Sequence, residues 1–148
     1  RGLTCLPCKA DRLERLKIPM AHSNKLDKFI TPFANSIDAA NDISTGVSAA
    51  DRKVTIDRFV SEESVPEDFA QPGHLFPLRA REGLLTERQG HTEASVVLCE
   101  LAGLIPVAVI VEIMNDDGSM TKGKELVDYA WVHGLNSISI DEIIEYMG

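Results

Sequence analysis

Residues 92–114 read Thr-Glu-Ala-Ser-Val-Val-Leu-Cys-Glu-Leu-Ala-Gly-Leu-Ile-Pro-Val-Ala-Val-Ile-Val-Glu-Ile-Met, and the period of their apolar positions changes midway. Ala94, Val97, Leu98 and Leu101 recur at three- and four-residue steps, the stripe of a helix that buries one face. Gly103 supplies the stop. From Pro106 to Met114 the run is β-branched and nearly continuous, the pattern of a strand buried on both faces. A helix that gives way so directly to a strand predicts an α/β or α+β chain, with helices packed around a mixed β-sheet.

The flanking sequence extends the alternation. On the C-terminal side, Asn115 to Gly118 predicts a turn and Lys124 to His133 a helix closed by Gly134. A strand over Asn136 to Ile140 and a last helix capped by Asp141 and running to Met147 complete that side. On the N-terminal side, Gly2 to Leu6 predicts a short strand and Ala10 to Lys17 a charged helix stopped by Pro19. Residues 21–34 are polar and predict a loop, and Asn35 to Ala39 a further strand. Ser44-Thr-Gly46 is a turn before a helix from Ser48 to about Val60, with Asp51 in the capping-box place. Val65 to Gly73, with two prolines, reads as an exposed connection. His74 to Leu78 is short and apolar, bounded by Gly73 and by Arg79-Ala-Arg-Glu82. There is no internal repeat, and 148 residues suit a single domain over 1–148.

Composition narrows the function. Fifteen basic residues stand against 23 acidic ones, a formal net charge of −8, which repels phosphate backbones and anionic lipid and argues against nucleic-acid or membrane-surface binding. No apolar run approaches the ~20 residues that span a bilayer. Three cysteines cannot all pair. Cys5-Leu-Pro-Cys8 has C-x-x-C spacing without the second ligand pair a zinc site needs or the intervening helix start a redox motif needs. Three reduced structural thiols, and hence a cytoplasmic protein, are the expectation. The chain opens on Arg1, with no signal peptide, and on its face reads as a fragment.

The residues that carry chemistry gather around Arg88-Gln89-Gly90-His91-Thr92. A helix beginning there presents unpaired N–H groups and the positive end of its dipole, which together favour an anion. Arg88 adds a planar fork of donors and Thr92 a hydroxyl, enough to cradle a phosphate on an otherwise acidic protein. The competing reading makes Thr92 an ordinary N-cap and Arg88 a solvated charge. Glu112 ends an apolar run, so it is either paired or bound to something, or at an edge facing water. His74 and His91 are candidates for proton transfer, or are packed side chains. His22 and His133 receive no role, and Asp116-Asp117-Gly118 reads as a turn before a metal loop.

Four strings in one order, Ser44-Thr-Gly-Val-Ser-Ala-Ala-Asp-Arg52, Pro72-Gly-His-Leu-Phe-Pro-Leu-Arg79, Gly90-His-Thr-Glu-Ala94 and Glu112-Ile-Met-Asn-Asp-Asp-Gly118, resemble the 3,4-dihydroxy-2-butanone 4-phosphate synthases. The likeness runs from about residue 1 to the C-terminus. It implies a magnesium-dependent homodimer (manganese being a possible substitute) of α/β fold. The implied reaction converts ribulose 5-phosphate to 3,4-dihydroxy-2-butanone 4-phosphate and formate on the way to riboflavin. By the same resemblance Arg88 and Thr92 hold the substrate phosphate with Gln89 and Gly90 in the same loop, and His91 is a metal ligand that also contacts substrate. His74 and Glu112 are the catalytic positions. Fusion to a GTP cyclohydrolase II domain is a further expectation. An acidic segment of the Arg-Glu-Asp-Glu-Gly-Asp kind, which in the family supplies a metal-binding Glu, has no match here. The expectation is therefore an N-terminally truncated chain with little activity of its own from an active parent. The rival is a remnant that keeps the fold and binds a sugar phosphate or a partner subunit.

Overall fold

The computed structural model describes residues 2–21 and 31–148, so His22 and most of the loop expected over 21–34 lie outside the described residues. The first elements are β1 (Cys5–Cys8), α1 (Ala10–Arg15), β2 (Ile37–Ala39), α2 (Ala49–Val60) and β3 (Phe69–Arg79). They are followed by α3 (His91–Leu101), α4 (Lys124–Val132) and α5 (Ile140–Met147). The sheet order is β1-β3-β2, with β1 parallel and β2 antiparallel to β3, so the sheet is mixed as expected. Cys5 stands opposite Phe76 and Cys8 opposite Arg79.

The central strand is β3, and it is longer than the sequence suggests. Its 11 residues run through Pro72 and Gly73, where an exposed connection was expected. Proline and glycine are weak strand formers. Here they lie where β2 changes register between Ile37 and Asp38, so the irregularity of the two strands coincides. The β1 strand also shifts, to Cys5–Cys8 rather than Gly2 to Leu6, and all four of its residues are buried.

Leu6, Ile37, Leu75, Leu13, Leu16 and Phe59 form the main core between the sheet, α1 and α2. On α2 the buried positions Asp51, Thr55 and Phe59 follow the four-residue step of one helix face. Ser48 caps α2 by accepting the Asp51 N–H at 3.0 Å. A second core packs α3 on α5 through Leu85, Ala94, Val97 and Ile143.

Four expectations in the C-terminal half are corrected. The segment from Pro106 to Met114 is not a strand buried on both faces. It meets β1 through antiparallel bridges at Cys5–Ile110 and Cys8–Val107, and Val109 and Val111 are each 49% exposed. Beyond those bridges it pairs only at its end, Met114 with Met120, among the described residues, and much of one face is open. No strand forms over 136–140, and Ser139, not Asp141, caps α5 in a capping box with Glu142. Leu98 and Leu101, read as core, are exposed at the end of α3.

Candidate functional site

His74 is held from two directions by one carboxylate. Its backbone N–H donates to Asp38 Oδ1 at 3.0 Å, and its ring Nδ1 lies 2.7 Å from Asp38 Oδ2. Asp38 is nearly buried in β2, while the His74 side chain is 48% exposed. An Nδ1–H donated to a carboxylate fixes the ring's orientation and leaves Nε2 as the nitrogen that exchanges a proton with a ligand. Gly46, at φ +81°, covers the pair. A Cβ there would collide with the Asp38 carboxylate and lie 2.8 Å from His74 Nδ1. The loop that carries Gly46 is itself tied to Asp51, whose Oδ2 accepts from Ser44 Oγ at 2.7 Å and from Gly46 N at 3.1 Å. These hydrogen bonds, Ser44 foremost, hold the Asp51 carboxyl below its ordinary value. Asp51 thus closes on the 44–46 turn instead of on the Ser48 N–H.

Glu112 is exposed. Its Oε2 accepts the Leu3 N–H at 2.9 Å. It also lines a cleft of about 390 Å³ with Asp116, Tyr129 and His133. Burial, and secondly the Glu112 charge, push the Cys5 thiol up to about 11. Burial alone dominates at Cys8, pushed up to about 12. Cys5, Cys8 and Cys99 are all free.

Arg88 is not the solvated charge of the competing reading. Its Nη1 donates to Glu93 Oε2 at 2.6 Å, and the Glu93 side chain is wholly buried. The other oxygen of Glu93 accepts the Arg81 N–H at 3.1 Å. Gly90 is the N-cap of α3, so Thr92 is not, and no side chain caps this helix start. Gln89 and His91 are exposed and Thr92 is 3% exposed.

The fold brings Arg88, Gln89, Gly90, His91 and Thr92 to one loop and helix start beyond the C-terminal end of β3. His74, and Leu3 with Glu112 attached, both lie two residues before the Cys5–Phe76 pair, at the other end. About 17 Å of strand, five residues at ~3.3 Å each, separates His74 from Arg79. Among the described residues these groups stand at opposite ends of β3. His91 offers one nitrogen, and no group of three potential metal ligands occurs among the described residues. Magnesium takes mainly oxygen ligands. The described residues therefore do not by themselves make a magnesium site. Among them, no helix is long and apolar enough to cross a membrane.

Asp38, Gly46 and Glu93 were missed as site residues in the sequence. Asp38 carried a usable signal, a carboxylate set between Ile37 and Ala39 in a predicted strand, the same kind of signal that drew notice to Glu112.

The family model described as 3,4-dihydroxy-2-butanone 4-phosphate synthase matches residues 1–146. A Neisseria meningitidis protein named 3,4-dihydroxy-2-butanone 4-phosphate synthase is 49% identical over 146 residues, 99% of this chain and 40% of that protein. The bifunctional riboflavin biosynthesis protein RIBA 1, chloroplastic, of Arabidopsis thaliana is 47% identical over 98% of this chain and 27% of its own length. The chain thus spans less than half of these relatives. A crystal structure of 3,4-dihydroxy-2-butanone 4-phosphate synthase in complex with two magnesium ions superimposes with a TM-score of 0.92. It is 37% identical and covers 99% of this chain and 73% of that one.

Proposed function

Because the chain belongs to the 3,4-dihydroxy-2-butanone 4-phosphate synthase family, we propose that it is part of a lyase acting on D-ribulose 5-phosphate. The products are L-3,4-dihydroxy-2-butanone 4-phosphate and formate, made for riboflavin biosynthesis. The observation that carries this reading is the His74–Asp38 pair, a half-exposed imidazole whose tautomer is set by a nearly buried carboxylate. Enediol formation, loss of water and release of formate each move protons, and a group that both takes and gives them near neutral pH is the requirement. His74 Nε2 is the atom assigned to that exchange, with Glu112 as the second catalytic group. Arg88, Thr92 and the open N–H groups of the α3 start, with Gln89 and Gly90, take the phosphate, and His91 faces the substrate beside them.

Residues 1–148 act as a single domain in this reading, in a cytoplasmic protein. A GTP cyclohydrolase II domain accompanies it in the parent if the parent is bifunctional. Dependence on magnesium or manganese belongs to the assembled enzyme, with His91 as the ligand assigned from this chain's described residues. A homodimer is part of the same proposal. The His74–Glu112 end and the Arg88 end of the sheet lie too far apart to grip one small substrate, and a partner's Arg88 loop brought to the His74 end completes the set.

The test follows the His74 and His91 ring resonances while ribulose 5-phosphate is added. Both shift in the expected result, and both fail to respond in Arg88→Ala. Formate release by the full gene product, abolished in His74→Ala, is the second expectation. Binding that leaves the His74 ring untouched would end its assignment.

A further inference from the structure

We propose that Glu93 is a positioning residue that presets Arg88 for an anionic ligand. Glu93 is the most deeply buried carboxylate among the described residues, at 0% exposure. A carboxylate so placed is retained only if its charge is paired and its lone pairs are used. At the third position of α3 such a side chain ordinarily turns back to the cap N–H. Here the Gly90 N–H is already bonded to the Arg88 carbonyl at 2.9 Å. Glu93 instead turns inward and joins two points of the 81–90 loop, the Arg81 N–H and Arg88 Nη1.

The second half of the geometry comes from Gly90. A Cβ at that position would collide with Arg88 Nη1 and lie 2.8 Å from Glu93 Oε2. The guanidinium therefore crosses directly over the residue that starts α3. It is held there, 24% exposed, with no other hydrogen-bond partner among the described residues. The remaining donors of the fork and the uncapped N–H groups of the helix start then lie side by side before any ligand arrives. An arginine pinned in this way loses little rotamer freedom on binding, which is how preorganisation strengthens binding.

The inference rests on the reading of Arg88 as a phosphate-binding group, and the sign of one measurement separates the two. Glu93→Gln removes a negative charge beside the anion. If Glu93 acts only through its field, inorganic phosphate should bind more tightly. If it only braces the loop, the affinity of folded molecules should not change. As a positioning residue, its loss weakens phosphate binding about tenfold, the scale of re-immobilising one long side chain.

Titration calorimetry with inorganic phosphate on wild type, Glu93→Gln, Arg88→Met and the double variant gives the answer. The expected result is a loss in Glu93→Gln that vanishes in the Arg88→Met background. In the full gene product it is accompanied by a raised KM for ribulose 5-phosphate at unchanged kcat. Unchanged or tighter phosphate binding in Glu93→Gln, or an equal loss in both backgrounds, overturns the proposal while leaving Arg88 in place. Wild type and Arg88→Met binding phosphate equally would remove Arg88 from the site and this inference with it. Should Glu93→Gln fail to fold, the guanidinium resonances of unliganded wild type decide. Slow rotation about the Arg88 Nε–Cζ bond is expected, and free rotation overturns the assignment.

Discussion

At the residue scale, a carboxylate stands behind each of two proposed site groups. Asp38 stands behind His74 and Glu93 behind Arg88, and in each case a glycine lets the pair close. The outer members, His74 and Arg88, were legible in the sequence because a histidine after Gly73 and an arginine just ahead of a helix start draw notice. Their buried partners were not, since an aspartate in a strand or a glutamate in a first helical turn has an ordinary explanation. Replacing Asp38 with Asn tests the first pair. The amide keeps the shape but offers Oδ1 or a donor N–H toward Nδ1, so the ring is free to take the other tautomer. Turnover of the full gene product is expected to fall by about 100-fold or more, the usual scale for a lost acid–base group. Nitrogen shifts of the His74 ring should report the change of tautomer in this chain. An unchanged tautomer with unchanged turnover would show Asp38 to be packing alone.

At the element scale, the helices were easier to read than the strands. The Ser48 cap, the Gly103 stop and the Gly134 stop each act through local backbone chemistry, which a sequence displays. Strand limits depend instead on what lies alongside. Pro72 and Gly73 sit inside β3 because β2 shifts register there, and much of Pro106 to Met114 stays exposed because β1 covers one edge and Met120 reaches only its end. The β1 strand itself yields a pH prediction. Burial raises Cys5 from 9.0 to about 11 and Cys8 to about 12 in the folded chain. Below pH 9 both thiols are protonated folded or unfolded, and they add no pH dependence. Between pH 9 and 12 the unfolded chain releases protons that the folded chain keeps, so stability falls as pH rises. Melting temperatures from pH 8 to 11 should therefore decline more steeply for wild type than for Cys5→Ala/Cys8→Ala. Parallel slopes would mean that both thiols ionise as freely in the fold as out of it.

At the scale of the whole molecule, a net charge of −8 keeps copies apart unless a complementary surface draws them together. The homodimer proposed above needs such a surface, and exposed apolar side chains stand where α3 ends and in the 105–111 segment. Leu101, Leu104, Val109 and Val111 are each about half exposed or more, at 50%, 64%, 49% and 49%. The Cys99 thiol donating to the Val107 carbonyl at 3.4 Å holds the helix end against that segment. Apolar clusters of this kind on a protein surface commonly mark an interface. In the dimer proposed above, the division of candidate groups between two ends of the sheet would give an interface a chemical purpose, since each end lacks what the other has. Sedimentation should accordingly find wild type as a dimer of the 16.2 kDa chain. Leu104→Asp, at an exposed position, should leave the circular dichroism spectrum intact, shift the equilibrium to monomer and weaken ribulose 5-phosphate binding in the same concentration range. A wild type that stays monomeric at every concentration and still binds the substrate would require one chain to close the site alone, which the ~17 Å of strand between His74 and Arg79 opposes.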